Sequence, residues 1–267
     1  MPPEPAKLDA GSVPDQMESA RQAFVAGDYA SALEIWGPLA HAGISGAQAY
    51  VGACFAEGWG VEPDYPLAAK WLTLAADAGD PEGQRNLAAL YFRGDGVPED
   101  FRRAAKLYRA AAEAGDGPAQ DMLSWMLLEG EVMVHDYAEA RQWAEAAAAQ
   151  GVASSMTRLG MLYHNALGVE RDPALSVHWW QRGAMRGDAD GQAMLGAACY
   201  LGAGVARDYL QALVWLLRAR AGKSSLAAKF LEPTRAVLTP AEIAEAEQRA
   251  REPLPEPLPE PLPEPSP

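Results

Sequence analysis

The chain has 267 residues, a formal net charge of −14, two cysteines, and close to half its residues apolar, with eight tryptophans for packing. So strong an acidic balance repels nucleic acid, and two cysteines cannot make a disulfide framework. No stretch approaches the ~18 to 20 apolar residues of a membrane span, so direct membrane insertion is not expected.

Residues 1–16 carry four prolines and little apolar periodicity, which predicts a disordered leader. They lack a basic segment followed by an apolar run, so the sequence as written predicts a cytoplasmic protein, or a periplasmic one if a signal peptide lies upstream. From Met17 onward the chain repeats. Asp28, Asp64, Asp100, Asp136, Asp172 and Asp208 are spaced 36 residues apart, as are Gly43, Gly79, Gly115, Gly151 and Gly187. Ala32, Ala68, Ala104, Ala140, Ser176 and Ala212 run in step with them, and so do Gly58, Gly94, Gly130 and Gly202, with Ala166 as the exception.

A fixed period of this size signals a solenoid, in which no unit buries its apolar face alone. The unit reads as two helices, the first at about Ser45 to Glu57 and the second at about Tyr65 to Ala78. The aspartate column starts each second helix, where a short carboxylate accepts from unpaired N–H groups. The Gly79 column ends it in a left-handed turn, after which Asp80, Asp116 and Asp188 can cap the next helix. Ala68, Trp71, Leu72 and Ala75, with their equivalents Ala212, Trp215, Leu216 and Ala219, form one buried stripe at helical spacing. The reading is all-α: a right-handed α-solenoid with an entering helix pair at 17–43. Five repeats follow at 44–79, 80–115, 116–151, 152–187 and 188–222, then capping helices at 223–252 with Thr239 and Pro240 opening the last one.

Two copies carry a recognisable pattern: Leu159-Gly160-Met161-Leu162-Tyr163, Leu167-Gly168-Val169, Asp172 and Trp179-Trp180, then Leu195-Gly196, Gly202-Ala203-Gly204-Val205, Asp208 and Trp215. These runs resemble the Sel1-like repeat, a relative of the tetratricopeptide repeat, over more than three quarters of the chain. Copy three departs from the pattern at Ser124 and at Glu131-Val132-Met133. The resemblance implies a bacterial adaptor that holds a partner protein or peptide, with no catalysis and no cofactor. Some relatives with paired cysteines in every repeat are associated with β-lactam binding or hydrolysis. A small-molecule-binding or hydrolytic protein is therefore the alternative, disfavoured here by two unpaired cysteines and no catalytic motif.

Nothing in the residues adds chemistry of its own. His41, His135, His164 and His178 have no ligand partner at helical spacing, so no metal site is expected. Cys54 and Cys199 lie about four repeats apart, too far for a disulfide. Gly58-Trp59-Gly60 and Gly94-Asp95-Gly96 join helices and follow no strand, which makes them turns rather than phosphate cradles. Gln48, Gln84, Gln120 and Gln192 recur on the first helix; gripping a peptide is one reading, and bonding a neighbouring repeat is preferred because the position repeats with the fold.

Binding is expected where columns vary between copies, near offsets 50, 53 and 57 of the first helix. Those positions nominate a groove of Tyr50, Asn86, Arg93, Met122, Trp125, Glu129, Arg158, Met161 and Asn165, a mixture typical of interfaces. Trp125 stands out in a column of Ala53, Ala89, Met161 and Ala197, and with Arg158 it is the expected anchor, unless it only fills space beside Ser124. Residues 253–267 repeat Glu-Pro-Leu-Pro without any Pro-x-x-Pro, which predicts an acidic polyproline II spacer.

Overall fold

The computed structural model describes residues 13–254, so the expectations for the first twelve residues and for 255–267 lie outside the described residues. Among the described residues there are fourteen α-helices, one short 3-10 turn and no strand, and no helix is long and apolar enough to cross a membrane. The chain divides into two compact units, one ending at Ala119 and the other beginning at Gln120.

The first unit runs α1 (Val13–Val25), α2 (Tyr29–His41), α3 (Ser45–Glu57), α4 (Tyr65–Asp77), α5 (Pro81–Arg93) and α6 (Phe101–Glu113). Helix α1 begins inside the segment expected to be a leader, with Pro14 in its first turn, where a missing N–H costs nothing. Each helix packs on the next in order. Ala20, Ala32, Trp36, Leu39 and Cys54 form the core of the entering end, with Phe24, Tyr50 and Trp59 packed around it.

Helix α7 (Gly117–Glu129) leads into the second unit, which continues with α8 (Tyr137–Ala149), α9 (Ala153–Asn165), α10 (Pro173–Met185), α11 (Ala189–Leu201) and α12 (Tyr209–Ala221). A 3-10 turn (Ser225–Ala227), α13 (Ala228–Ala236) and α14 (Pro240–Arg251) complete it. Both α13 and α14 pack on α12, and Leu213, Leu216, Ala227, Leu231 and Ala246 close a core over its open side. Thr239 and Glu242 form a reciprocal capping box at the start of α14.

The aspartate column caps all six second helices. Asp28 accepts from the Ser31 N–H, Asp64 from Leu67, Asp100 from Arg103, Asp136 from Glu139, Asp172 from Leu175 and Asp208 from Gln211, at 2.9–3.2 Å. Asp80, Asp116 and Asp188 cap first helices in the same way. Ile44 and Val152 occupy that position without a side-chain bond.

Within each repeat the two helices cross at a small residue whose size answers the one opposite. A Cβ on Gly52 would overlap Leu72, one on Gly160 would overlap the Trp180 ring, and one on Gly196 would overlap Leu216. In copy three the position facing Ser124 is Ala144 instead of a large residue, and the buried Ser124 hydroxyl donates to the Ala140 carbonyl at 2.7 Å. Ser124 is thus a matched substitution, with its polar group satisfied inside α8. Gly160→Ala, which has no such allowance, is predicted to lower stability by about 1–3 kcal/mol. The urea unfolding midpoint measures this, and a midpoint equal to that of the parent would contradict the packing described.

Candidate functional site

The nine nominated residues all lie on first helices. In the first unit, Tyr50 is on α3, and Asn86 and Arg93 are on α5. The Tyr50 ring stacks on Trp36, centroid to centroid at 4.4 Å and nearly parallel. Burial, reinforced by the neighbouring Glu82 carboxylate, raises the Tyr50 hydroxyl above its ordinary pKa. Glu82 is also raised by burial, against the opposing pull of Arg85. Asn86 is half-buried and accepts from the Arg85 guanidinium at 3.3 Å. Arg93 is exposed and reaches Asp95 at 2.6 Å, a bond that raises its pKa further. These three residues surround packing and turn contacts rather than an open pocket.

The second unit gathers the other six on α7 and α9. Met122, Trp125 and Met161 are half-buried, and Glu129 and Asn165 are exposed. Arg158, expected to anchor a partner, is committed within the chain. Its guanidinium pairs with the Asp121 carboxylate and also donates to the Asp121 carbonyl at 3.2 Å, leaving only 11% of the side chain exposed. The Ser154 and Ser155 hydroxyls complete the shell around Asp121. Held beside this enclosed carboxylate, Arg158 joins α7 to α9, and the surface it leaves is chiefly the apolar Met122, Trp125 and Met161.

That tie belongs to a pattern of unlike residues that a fixed-period comparison misses. The column holds alanine in the outer copies, Ala49 and Ala193, and Arg85, Asp121 and Thr157 in the middle three, each of which meets a complementary group about one repeat later. Arg85 meets Asp116 at 3.1 Å, Asp121 meets Arg158 and the two serines, and Thr157 donates to Asp188 at 2.6 Å. The signal in the sequence is complementary polar pairs 31 to 37 residues apart, which a search for identical residues at 36 does not register. Three of the four glutamines in the column bond the preceding helix pair, and Gln120 bonds Gln150 of its own repeat. The amides of Gln48, Gln84 and Gln192 donate to the carbonyls of Ala40, Ala76 and Ala184 at the ends of the preceding helices, while Gln120 accepts from Gln150 at 2.9 Å.

The remaining reactive groups are enclosed. Cys54 and Cys199 are free and buried, and burial pushes both thiols up to about 11, away from the thiolate form that nucleophilic chemistry requires. Among the described residues no three His, Cys, Asp or Glu side chains converge as a metal site. Removing the tie at Arg158 tests its assignment: Arg158→Ala should cost about 2 kcal/mol, the scale of charged hydrogen bonds left unmade beside Asp121. Chemical denaturation reads this directly, and an unchanged stability would return Arg158 to the free surface residues.

Comparison with known proteins agrees with the repeat boundaries seen in the helices. The Sel1 repeat model matches residues 45–80, 81–116, 117–152, 153–188 and 189–223. A Sel1 repeat protein from Oxalobacter formigenes is 31% identical, with a TM-score of 0.74 over 88% of this chain and 98% of its own. The protein c5321, a protective antigen of uropathogenic Escherichia coli with an SLR fold, is 32% identical with a TM-score of 0.71. It shares 91% of this chain, which spans 54% of c5321. No curated protein matches.

Proposed function

We propose that this chain, which belongs to the Sel1 repeat family, is an adaptor that holds a partner protein or peptide on the first helices of its repeats. The principal contact is the apolar patch of Met122, Trp125 and Met161. The observation that supports this is the division of labour on α7 and α9. Asp121, Arg158 and the two serines satisfy each other and fix the two helices, while two methionines and a tryptophan beside them remain half-exposed.

Tryptophan and methionine are enriched in interface centres because they offer large contact areas, methionine with adaptable shape. Glu129 and Asn165, exposed at the C-terminal ends of the same helices, supply the polar rim that surrounds such a centre. A partner that fits is an extended or helical segment with apolar anchors. In the first unit, taken by itself, Tyr50 is stacked on Trp36 and Arg93 is paired with Asp95.

The test is capture of partners from the source organism's lysate on immobilised full chain, followed by affinity measurement on the recovered partner. Trp125→Ala should weaken binding by about 2 kcal/mol, roughly thirtyfold, with an unchanged circular dichroism spectrum and melting temperature. A folded variant that binds every partner as tightly as the parent would rule out Trp125 as the contact.

A further inference from the structure

The second helices of the first unit carry cations that nothing within the chain engages. Among the described residues of that unit, Lys70 on α4 and Arg102 and Lys106 on α6 are exposed and have no hydrogen-bond, ion-pair or ring partner. Other cations of the unit are engaged: Arg21 pairs with Glu18, Arg85 with Glu82 and Asp116, and Arg93 with Asp95, while Arg103 lies over the Tyr91 ring at 4.4 Å. Lys70 and Lys106 hold the same position one repeat apart, and in the second unit that position passes to Gln142, His178 and Val214.

Helix α6 holds its cations against its own stability. Arg102 and Arg103 sit in its first turn, where the helix dipole disfavours positive charge, and no acidic residue stands beside them in that turn. Lys106 follows Arg102 by four residues and Arg103 by three, and Arg109 follows Lys106 by three, each a like-charge spacing that weakens a helix. The equivalent first turn of α8 carries Glu139 instead. In a chain with 36 acidic residues and a net charge of −14, a helix with four cations and no acid before Glu113 departs from local preference as functional surfaces do.

The spacing defines what fits. Arg102 and Lys106 are one turn apart, about 6 Å along the axis, which is also the separation of two carboxylates four residues apart on a partner helix. Lys70 adds a third cation on α4, and Leu74, one turn after it and 51% exposed, adds an apolar contact. Asp77, Glu99 and Glu113 are exposed at the ends of the same two helices. A narrow acidic helix meets the cations without meeting these carboxylates, whereas a flat anionic membrane brings them all to its surface.

We propose that α4 and α6 form a second docking surface, which takes an acidic helical segment of a partner protein. Its carboxylates pair with Lys70, Arg102 and Lys106, and an apolar side chain beside them covers Leu74. The surface lies on second helices of the first unit, while the Met122, Trp125 and Met161 patch lies on first helices of the second. It therefore stands apart from the adaptor reading above, and either can fail without the other.

The probe is a dye-labelled synthetic helix with glutamates four residues apart and leucines beside them, titrated against the full chain by fluorescence anisotropy. A chain of net charge −14 repels this peptide unless a local site attracts it, so salt separates the two cases by sign. Binding at the cations weakens as the Debye length falls from about 10 Å in 0.1 M salt to about 3 Å in 1 M. Lys70→Glu combined with Arg102→Glu should cut affinity about tenfold. The urea midpoint of that variant should be no lower than the parent's, because Arg102→Glu places a carboxylate in the first turn of α6 and one turn before Lys106. Arg220→Glu with Arg251→Glu, which reverses exposed and likewise unpartnered cations of the second unit, should leave binding unchanged. No binding, binding that strengthens with salt, or binding that survives the Lys70 and Arg102 reversals would overturn the proposal. Binding lost in Trp125→Ala but kept in those reversals would assign the peptide to the apolar patch, and capture of anionic vesicles or short DNA in place of the peptide would assign the cations to another class of partner; both overturn it.

Discussion

A thirteen-residue helix is marginal in water on its own, and α1 to α12 are each thirteen residues long. Every one of them therefore depends on close approach to its neighbours. That approach is set by a small residue at each helix crossing and by alanines along the stripe, several of them with no exposed surface at all. Fixed turns deliver each helix to its crossing: a left-handed residue ends the helix, and a carboxylate starts the next one except at Ile44 and Val152. Once the crossing and the turns are set, the columns that build them are constrained, and the remaining positions of both helices differ between copies.

The same dependence explains why polar residues on the first helices fall into two groups. Arg85, Asp121 and Thr157 differ in charge and size, yet each is bonded to the following repeat. A tie between repeats does not need a particular residue, only a complementary pair, so the column drifts while the bond persists. Variation is therefore an imperfect guide to binding. Arg158 differs from its column and is held by Asp121, whereas Met122, Trp125 and Met161 differ from their columns and still keep part of their surface open to solvent.

The fold was legible in the sequence to an unusual degree because its punctuation repeats. Six aspartates at a constant interval meant six helix starts, and the structure places a capping bond at each. Ala166, the exception in its glycine column, still adopts the left-handed conformation, at φ 57°, and Lys223 does so one period beyond Gly187, at φ 66°. The turn is dictated by the packing on either side of it, even where the residue is not the one that favours it. The candidate site was less legible. Exposure of a first-helix side chain depends on what the next repeat presents to it, and the stacking of Tyr50 on Trp36 or the capture of Arg158 by Asp121 has no local signature. The size match between Ser124 and Ala144 was also hidden, because it joins two columns that each look irregular when read alone.

The most direct test of an adaptor that binds on its first helices is photo-crosslinking from defined positions in the living source cell. A photoreactive amino acid at Met161 on α9 should give a discrete cross-linked partner, while the same group at the exposed Gln142 on the second helix α8 should not. Cross-links that form equally from both positions, or only from Gln142, would contradict the assignment of the binding surface to the first helices.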